Sequence, residues 1–273
     1  LRQANADPLR VERRHPHRWV ERDPDAKPSA GDFELEGTWC VKSEIDPAVA
    51  MLLRKDLEDC LKRMGVETAT DAERCITFAL VDELGPRDCR QTFAPEAIRI
   101  EGGGVAGLWA GLAWLEWELR TRRGPFLRAG TVARPAAWGV QISQGPWGGN
   151  YSVPDFSREF LSDDAFRLYA HYGVNSMMIY GDLLCYAHSR ILPELDCPEY
   201  DRYIRTLQAT ARRAARYGVQ FTYVVVGPKL LAEHPVFAHH PEVRGAGVQR
   251  PGQQEPLHFL CSSSEEVLGF YGE

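Results

Sequence analysis

The sequence contains no uninterrupted apolar run of the roughly 18 residues that a membrane span needs, so it offers no membrane anchor. It also lacks any C-x-x-C pair. Its seven cysteines (Cys40, Cys60, Cys75, Cys89, Cys185, Cys197 and Cys261) are odd in number and scattered. They signal neither a zinc knuckle nor a disulfide framework, and they favour a reducing compartment, the cytoplasm. No leader pattern of charge, apolar stretch and small-residue cleavage site is present, although a chain opening on Leu1 rather than Met leaves room for a leader already removed. Lysine is scarce, at five of 32 basic residues (Lys27, Lys42, Lys55, Lys62, Lys229), and the arginines do not cluster. With a net charge of -6, the chain has no electrostatic footprint for nucleic acid. There is no H-E-x-x-H. The H-x-H of His15 and His17 lies on a polar stretch, and the run HPVFAHHPE, with His234, His239 and His240, has no second ligand cluster to help hold an ion. No metal and no cofactor is assigned, and the oligomeric state is open.

What the chain does have is enough apolar content, 44% of 273 residues, to bury a core. Residues 1–31 carry Pro, Asp and Arg without apolar periodicity and read as a lead-in. An α/β layer follows over 32–133. FELEGTWCVK (33–42) alternates like a strand; Asp46 caps a helix with Pro47 in its first turn and Gly65 as its stop; CITFALVDE (75–83) and EAIRIEG (96–102) read as strands; and a long apolar helix runs from about Val105 to Arg120.

From 134 to 273 the pattern changes. AAWGVQIS (136–143) reads as a strand, DDAFRLYAHYGV (163–174) as a helix ending at Gly173, and NSMMIYG (175–181) as a strand. EYDRYIRTLQATARRAARYGV (199–219) and QFTYVVV (220–226) repeat the helix and strand, and LHFLCS (257–262) follows as a further run. "YGVNSMMIY" (172–180) and "YGVQFTYVV" (217–225) align at a spacing of 45 residues. A helix that stops at Gly and feeds a β-rich run is the unit of a parallel sheet, and the short helix-to-strand and long strand-to-helix connections suit the start of a (β/α)8 barrel. Such a sheet, left at three strands, would expose an edge and call for a partner or further chain.

Gly102, Gly104 and Gly107 match G-x-G-x-x-G after a strand and at the mouth of a helix. A dinucleotide site also needs an acid about 20 residues on to hold the ribose. PFLRAGTVARPAAW (125–138) contains none. The plainer reading is that these glycines let a helix bearing Leu108, Leu112, Leu115 and Leu119 approach a sheet closely.

A strand with I-x-I-x-G (98–102), then G-L-W-A-G-L-x-x-L (107–115), then R-P-A-A-W-G-V-Q-I (134–142), resembles family-20 glycoside hydrolases and their relatives, the β-N-acetylhexosaminidases and α-glucuronidase-like enzymes. The resemblance covers about residues 33–226, and LCSSSEEVLGFYGE (260–273) is similar to a helix lead-in in the same relatives. It implies a small α/β domain of zincin-like topology before a catalytic TIM-type barrel, here incomplete. It also places the family's Asp-Glu pair on the fourth barrel strand, past the repeats seen in this chain. One departure is that no Arg follows Gly139, where the family grips a sugar hydroxyl.

Glycoside hydrolysis needs an acid for the leaving oxygen and a second group at the anomeric centre. Candidates to contact a carbohydrate are Gln141 and Gln144 on the first barrel strand, Trp147 on the loop after it, Tyr180 and Asp182 ending the second strand, and Tyr223 on the third. Tyr151 and Tyr186 on long loops could also stack on a sugar. The reading is the amino-terminal part of a glycoside hydrolase with a carbohydrate substrate. A non-catalytic carbohydrate-binding or interaction module of the same fold and an NAD-linked oxidoreductase are the alternatives.

Overall fold

The computed structural model describes residues 21–144, 161–249 and 255–272. It is an α/β structure dividing into two compact units, one of 21–144, 161–177 and 211–221, the other of 178–210, 222–249 and 255–272. This division cuts across the sequence boundary near 133. Among the described residues no helix is long and apolar enough to cross a membrane.

The first unit opens with β1 (Asp32–Glu34), β2 (Thr38–Glu44), α1 (Pro47–Arg63), β3 (Glu67–Thr68) and β4 (Arg74–Leu80). There follow β5 (Cys89–Phe93), β6 (Ala97–Gly102), α2 (Val105–Arg122), β7 (Phe126–Arg128) and β8 (Gly130–Arg134). Six of these strands form one sheet in the order β3-β2-β4-β6-β5-β8, with β3, β2, β4 and β6 parallel and β5 antiparallel to both its neighbours, β6 and β8. The strand expected over 33–42 is two strands, because Gly37 turns the chain at φ +68 between β1 and β2. Asp46 caps α1 as expected, its Oδ1 accepting from the amides of Ala48 and Val49. The strand period of two points Ile76, Phe78, Ile98 and Ile100 into the core, each fully buried. The opposite face is charged, and Glu101 accepts from Arg90 Nε at 2.5 Å and Arg99 Nε at 3.0 Å.

β5 went unread in the sequence because its middle inward residue is polar. Gln91 is buried, but its Nε2 donates to Gly111 O at 2.9 Å and its Oε1 accepts from Arg134 Nε at 3.1 Å, so both ends of the amide are satisfied. A second correction concerns cysteine. Cys40 and Cys75 are register partners on β2 and β4 and form a disulfide, with Cα atoms 4.7 Å apart.

The glycine motif is settled by its neighbours. A Cβ on Gly103 would overlap the carbonyl oxygens of Gly85 and Leu84, one on Gly104 would lie 2.7 Å from Pro86 O, and one on Gly107 would overlap Asp88 O. The backbone of residues 84–88 fills the crevice a dinucleotide would need, and Gly103 N–H already donates to Asp88 O at 3.1 Å. The plainer reading of the motif holds: the glycines serve a close backbone approach.

After this layer come β9 (Ile142–Gln144), α3 (Asp163–His171), β10 (Ser176–Asp182), α4 (Tyr200–Ala215) and β11 (Gln220–Val226), the strands ordered β11-β10-β9. Gln141 O accepts from the amides of Asn175 and Ser176, and Asn175 O accepts from Gln220 N, so the three strands open at one edge and run parallel. The sequence repeat is a repeated helix stop. Gly173 and Gly218 sit at φ +70 and +69, and the following valines bond five residues back, Val174 N to Tyr169 O and Val219 N to Ala214 O.

The strand expected over 136–143 shrinks to Ile142–Gln144. Side chains hold its first part instead: Ala136 N donates to Asp88 Oδ1 at 2.7 Å, and Arg87 donates to Trp138 O. In the second unit, β12 (Lys229–Leu231), α5 (Pro235–His239), β13 (Arg244–Val248), β14 (Leu257–Leu260) and α6 (Glu265–Gly272) close the chain. The LHFLCS run does not continue the parallel set. It forms β14, the centre of an antiparallel sheet β12-β14-β13 over a core of Leu192, Leu230, Val236, Val243 and Val267.

Gly103→Ala should cost about 1–3 kcal/mol or more by overpacking. Gly139→Ala, with open space around it, should stay within about 0.5 kcal/mol. Denaturant midpoints of the two variants check this. Thiol titration of the unfolded, unreduced protein should find five thiols, those of Cys60, Cys89, Cys185, Cys197 and Cys261, and reduction should add the Cys40–Cys75 pair.

Candidate functional site

The parallel strands define two ends. Gln141 lies at the amino edge, where its amide N donates to Asn175 Oδ1 at 2.7 Å and its Oε1 accepts from Arg87 Nη2 at 3.3 Å. It lies just ahead of β9, at the edge opposite Gln144. The strand AAWGVQIS begins six residues late, which moves Gln141 ahead of β9. Gln144 is the last residue of β9, Tyr180 and Asp182 are the fifth and seventh of β10, and Tyr223 is the fourth of β11. Trp147 and Tyr151 lie outside the described residues.

In the second unit, beyond the end of β10, a 3-10 turn over Leu183–Tyr186 sets the Tyr186 ring 5.2 Å from that of Tyr223 at 90°. Tyr203 of α4 stands 6.5 Å from Tyr186, and its hydroxyl donates to Glu199 Oε2 at 2.8 Å. Burial pushes the Tyr186 phenol up to about 12, against a hydrogen bond with Tyr223 that lowers it. At neutral pH Tyr186 is therefore a neutral phenol, unsuited to act as a base. The linked trio of Tyr186, Tyr203 and Tyr223 was only partly visible in the sequence, because Tyr203 reads there as one more position of an amphipathic helix.

Two carboxylates of this unit, those of Glu194 and Glu199, are already committed. Glu194 Oε1 lies 2.6 Å from His239 Nδ1, and that bond holds its carboxyl below the usual range. Glu199 also pairs with Arg202 at 2.7 Å. Among the described residues no group of three or more His, Cys, Asp or Glu side chains could hold a metal ion.

The first unit contains a hollow of about 690 Å³, lined by Trp109, Trp114, Trp117, Arg134, Gln141 and Tyr172 among others. Its volume suits a small molecule, but its polar groups face the chain itself. Arg134 lies 4.1 Å over the Trp114 ring and donates to Glu118 Oε1 at 3.0 Å, while Arg87 donates to Gly173 O at 2.7 Å. The hollow lies at the amino edge of the strands and is a packing feature. The carboxyl end is the better candidate site.

No protein-family model matches the sequence, and no curated protein matches it. Solved structures do match in fold. One is a GH138 enzyme targeting pectin rhamnogalacturonan II (TM-score 0.57, 12% identity, 78% of this chain and 27% of that one). Two others are the GH20 β-N-acetylhexosaminidase from Streptomyces coelicolor A3(2) (0.55, 17%, 90% and 53%) and the N-acetyl-β-hexosaminidase of Streptomyces plicatus (0.54, 16%, 90% and 53%). The chain thus spans between a quarter and a little over half of the length of these enzymes. At such identities the likeness is one of fold: this chain is similar in structure to part of the GH20 and GH138 glycoside hydrolases.

Proposed function

We propose that this chain is the amino-terminal portion of a glycoside hydrolase, a zincin-like α/β layer (32–133) followed by the opening strands of a (β/α)8 barrel (134–273). The observation that carries the reading is the set of three parallel strands opening at a common edge, in a fold shared with solved glycoside hydrolases. In barrels of this kind the carboxyl ends of the strands carry the site. Gln144, Trp147, Tyr180, Asp182 and Tyr223 then contact the sugar, with Tyr186 backing Tyr223. Gln141, at the other edge, takes no part.

The chemistry requires one carboxylic acid to protonate the leaving oxygen and a second group to attack or stabilise the anomeric centre. Asp182 is the acid of this chain best placed along its strand to meet a hydroxyl near that centre. The acid pair itself is assigned to later strands of the barrel. Hexosaminides and pectic oligosaccharides are the substrate classes to try, after the printed activities of the similar enzymes.

The test is hydrolysis by the full-length protein of 4-nitrophenyl N-acetyl-β-hexosaminides and rhamnogalacturonan II oligosaccharides. Asp182→Asn and Tyr223→Phe should each lower kcat/KM by about 10- to 100-fold, the worth of a hydrogen bond to substrate, with the unfolding midpoint nearly unchanged. Full activity in both variants would remove the carboxyl end as the binding face. Binding without turnover would make the protein a non-catalytic carbohydrate module.

A further inference from the structure

Three helices of the first unit meet at a buried cluster of charge. Asp56 of α1 is held in a fork by Arg167 of α3, whose Nε donates to Oδ2 at 2.6 Å and whose Nη2 reaches Oδ1. His171, one turn further along α3, has a side chain only 2% exposed. Its Nε2 lies 3.2 Å from Glu116 Oε2 on α2 and 3.7 Å from Asp56 Oδ2. Its Nδ1 is 2.8 Å from the carbonyl oxygen of Arg167.

That geometry dictates a proton count. A carbonyl oxygen only accepts, so Nδ1 must carry a hydrogen. Nε2 faces carboxylate oxygens, so the short approach to Glu116 also needs a proton, whether it resides on the imidazole or on the carboxyl. Without it a ring lone pair would face an anionic oxygen at 3.2 Å inside the protein. With it, two carboxylates are balanced by Arg167 and one shared proton.

We propose that His171 is a proton-operated latch that fastens α3 to α1 and α2, closed when the proton between His171 and Glu116 is present and released when it leaves. The groups facing it are Asp56 from α1, Glu116 and Trp109 from α2, and Arg167 from α3 itself, with Asp59 of α1 beside Arg167 and Cys60 of α1 within the electrostatic reach of Glu116. Tyr217 stacks behind Trp109 at 5.4 Å. Trp109 also presents its ring edge-on to the imidazole at 5.3 Å and donates its Nε1–H to Arg216 O at 3.0 Å, which closes the apolar side of the cluster to water.

The direction follows from linkage. Burial lowers His171, but Glu116 and Asp56 outweigh it and hold the imidazole above its ordinary value of 6.5. Burial also raises Glu116 and Asp56. A group whose folded value is raised contributes fully below its unfolded value and loses that contribution as pH rises through the folded one. Each therefore supports the cluster less as pH rises through its own folded value, and His171, held above 6.5, is the group that does so above that pH.

Hydrogen exchange resolved by peptide tests this on the full-length protein between pH 6 and 9, with intrinsic rates corrected. Protection of α3 should fall by about tenfold or more relative to β4 and β6, as expected where a buried charge loses its partner. His171→Gln, which cannot titrate, should lose this dependence. Protection of α3 that is flat with pH, or the same fall in His171→Gln, overturns the latch. Should that variant not fold, the wild-type imidazole decides: its NMR resonance, assigned through the Trp109 ring, should titrate above 6.5, and titration at or below that value overturns the proposal.

Discussion

Backbone lying directly on backbone at the start of α2 is the constraint on which the rest of the first unit depends. Residues 84–88 cross the 102–107 turn so closely that no side chain fits at Gly103, Gly104 or Gly107. Because that loop is pinned, Arg87 and Asp88 project from a fixed base. They then hold the amides and carbonyls of 136–141 and the helix stop at Gly173. A second close contact works the same way at Gly218, where a Cβ would lie 2.5 Å from the backbone of Ala106. Together these fix both repeated helix stops against α2, and with them the edge at which the parallel strands begin.

Polar groups do much of the remaining positioning. Gln91 ties β5 to α2 and to Arg134, and the Asp56–Arg167–His171–Glu116 cluster ties three helices together. Buried ions add little net stability when paired, yet losing one partner costs about 3–5 kcal/mol, so such clusters select one packing over its neighbours. α2 shows why this matters. It is apolar on nearly every side, and burial alone would let it rotate.

The helices were legible in the sequence because caps and stops are local: Asp46 before α1, Gly65 after it, Gly173 and Gly218 after the repeats. QFTYVVV was legible to the residue, its β-branched run bounded by a helix stop. What escaped depended on distant groups. β5 hid behind Gln91, whose partners are 20 and 43 residues away. AAWGVQIS looked like a strand, but Arg87 and Asp88 took up its backbone groups. LHFLCS carried a strand pattern that could not say which strands it would join. The Cys40–Cys75 pair is invisible without the register of β2 on β4. For the candidate site, the strand that carries Tyr223 was legible from its place in a repeat. Gln141 lies ahead of β9 because that strand starts later than its composition suggests.

The central claim is that carbohydrate is held at the carboxyl ends of the parallel strands. Mapping hydrogen exchange of the full-length protein with and without glycoside probes tests it most directly. The account predicts protection confined to peptides over 180–186 and 223–231. Protection at 102–107 or at 135–141 instead, with those peptides unchanged, would contradict it.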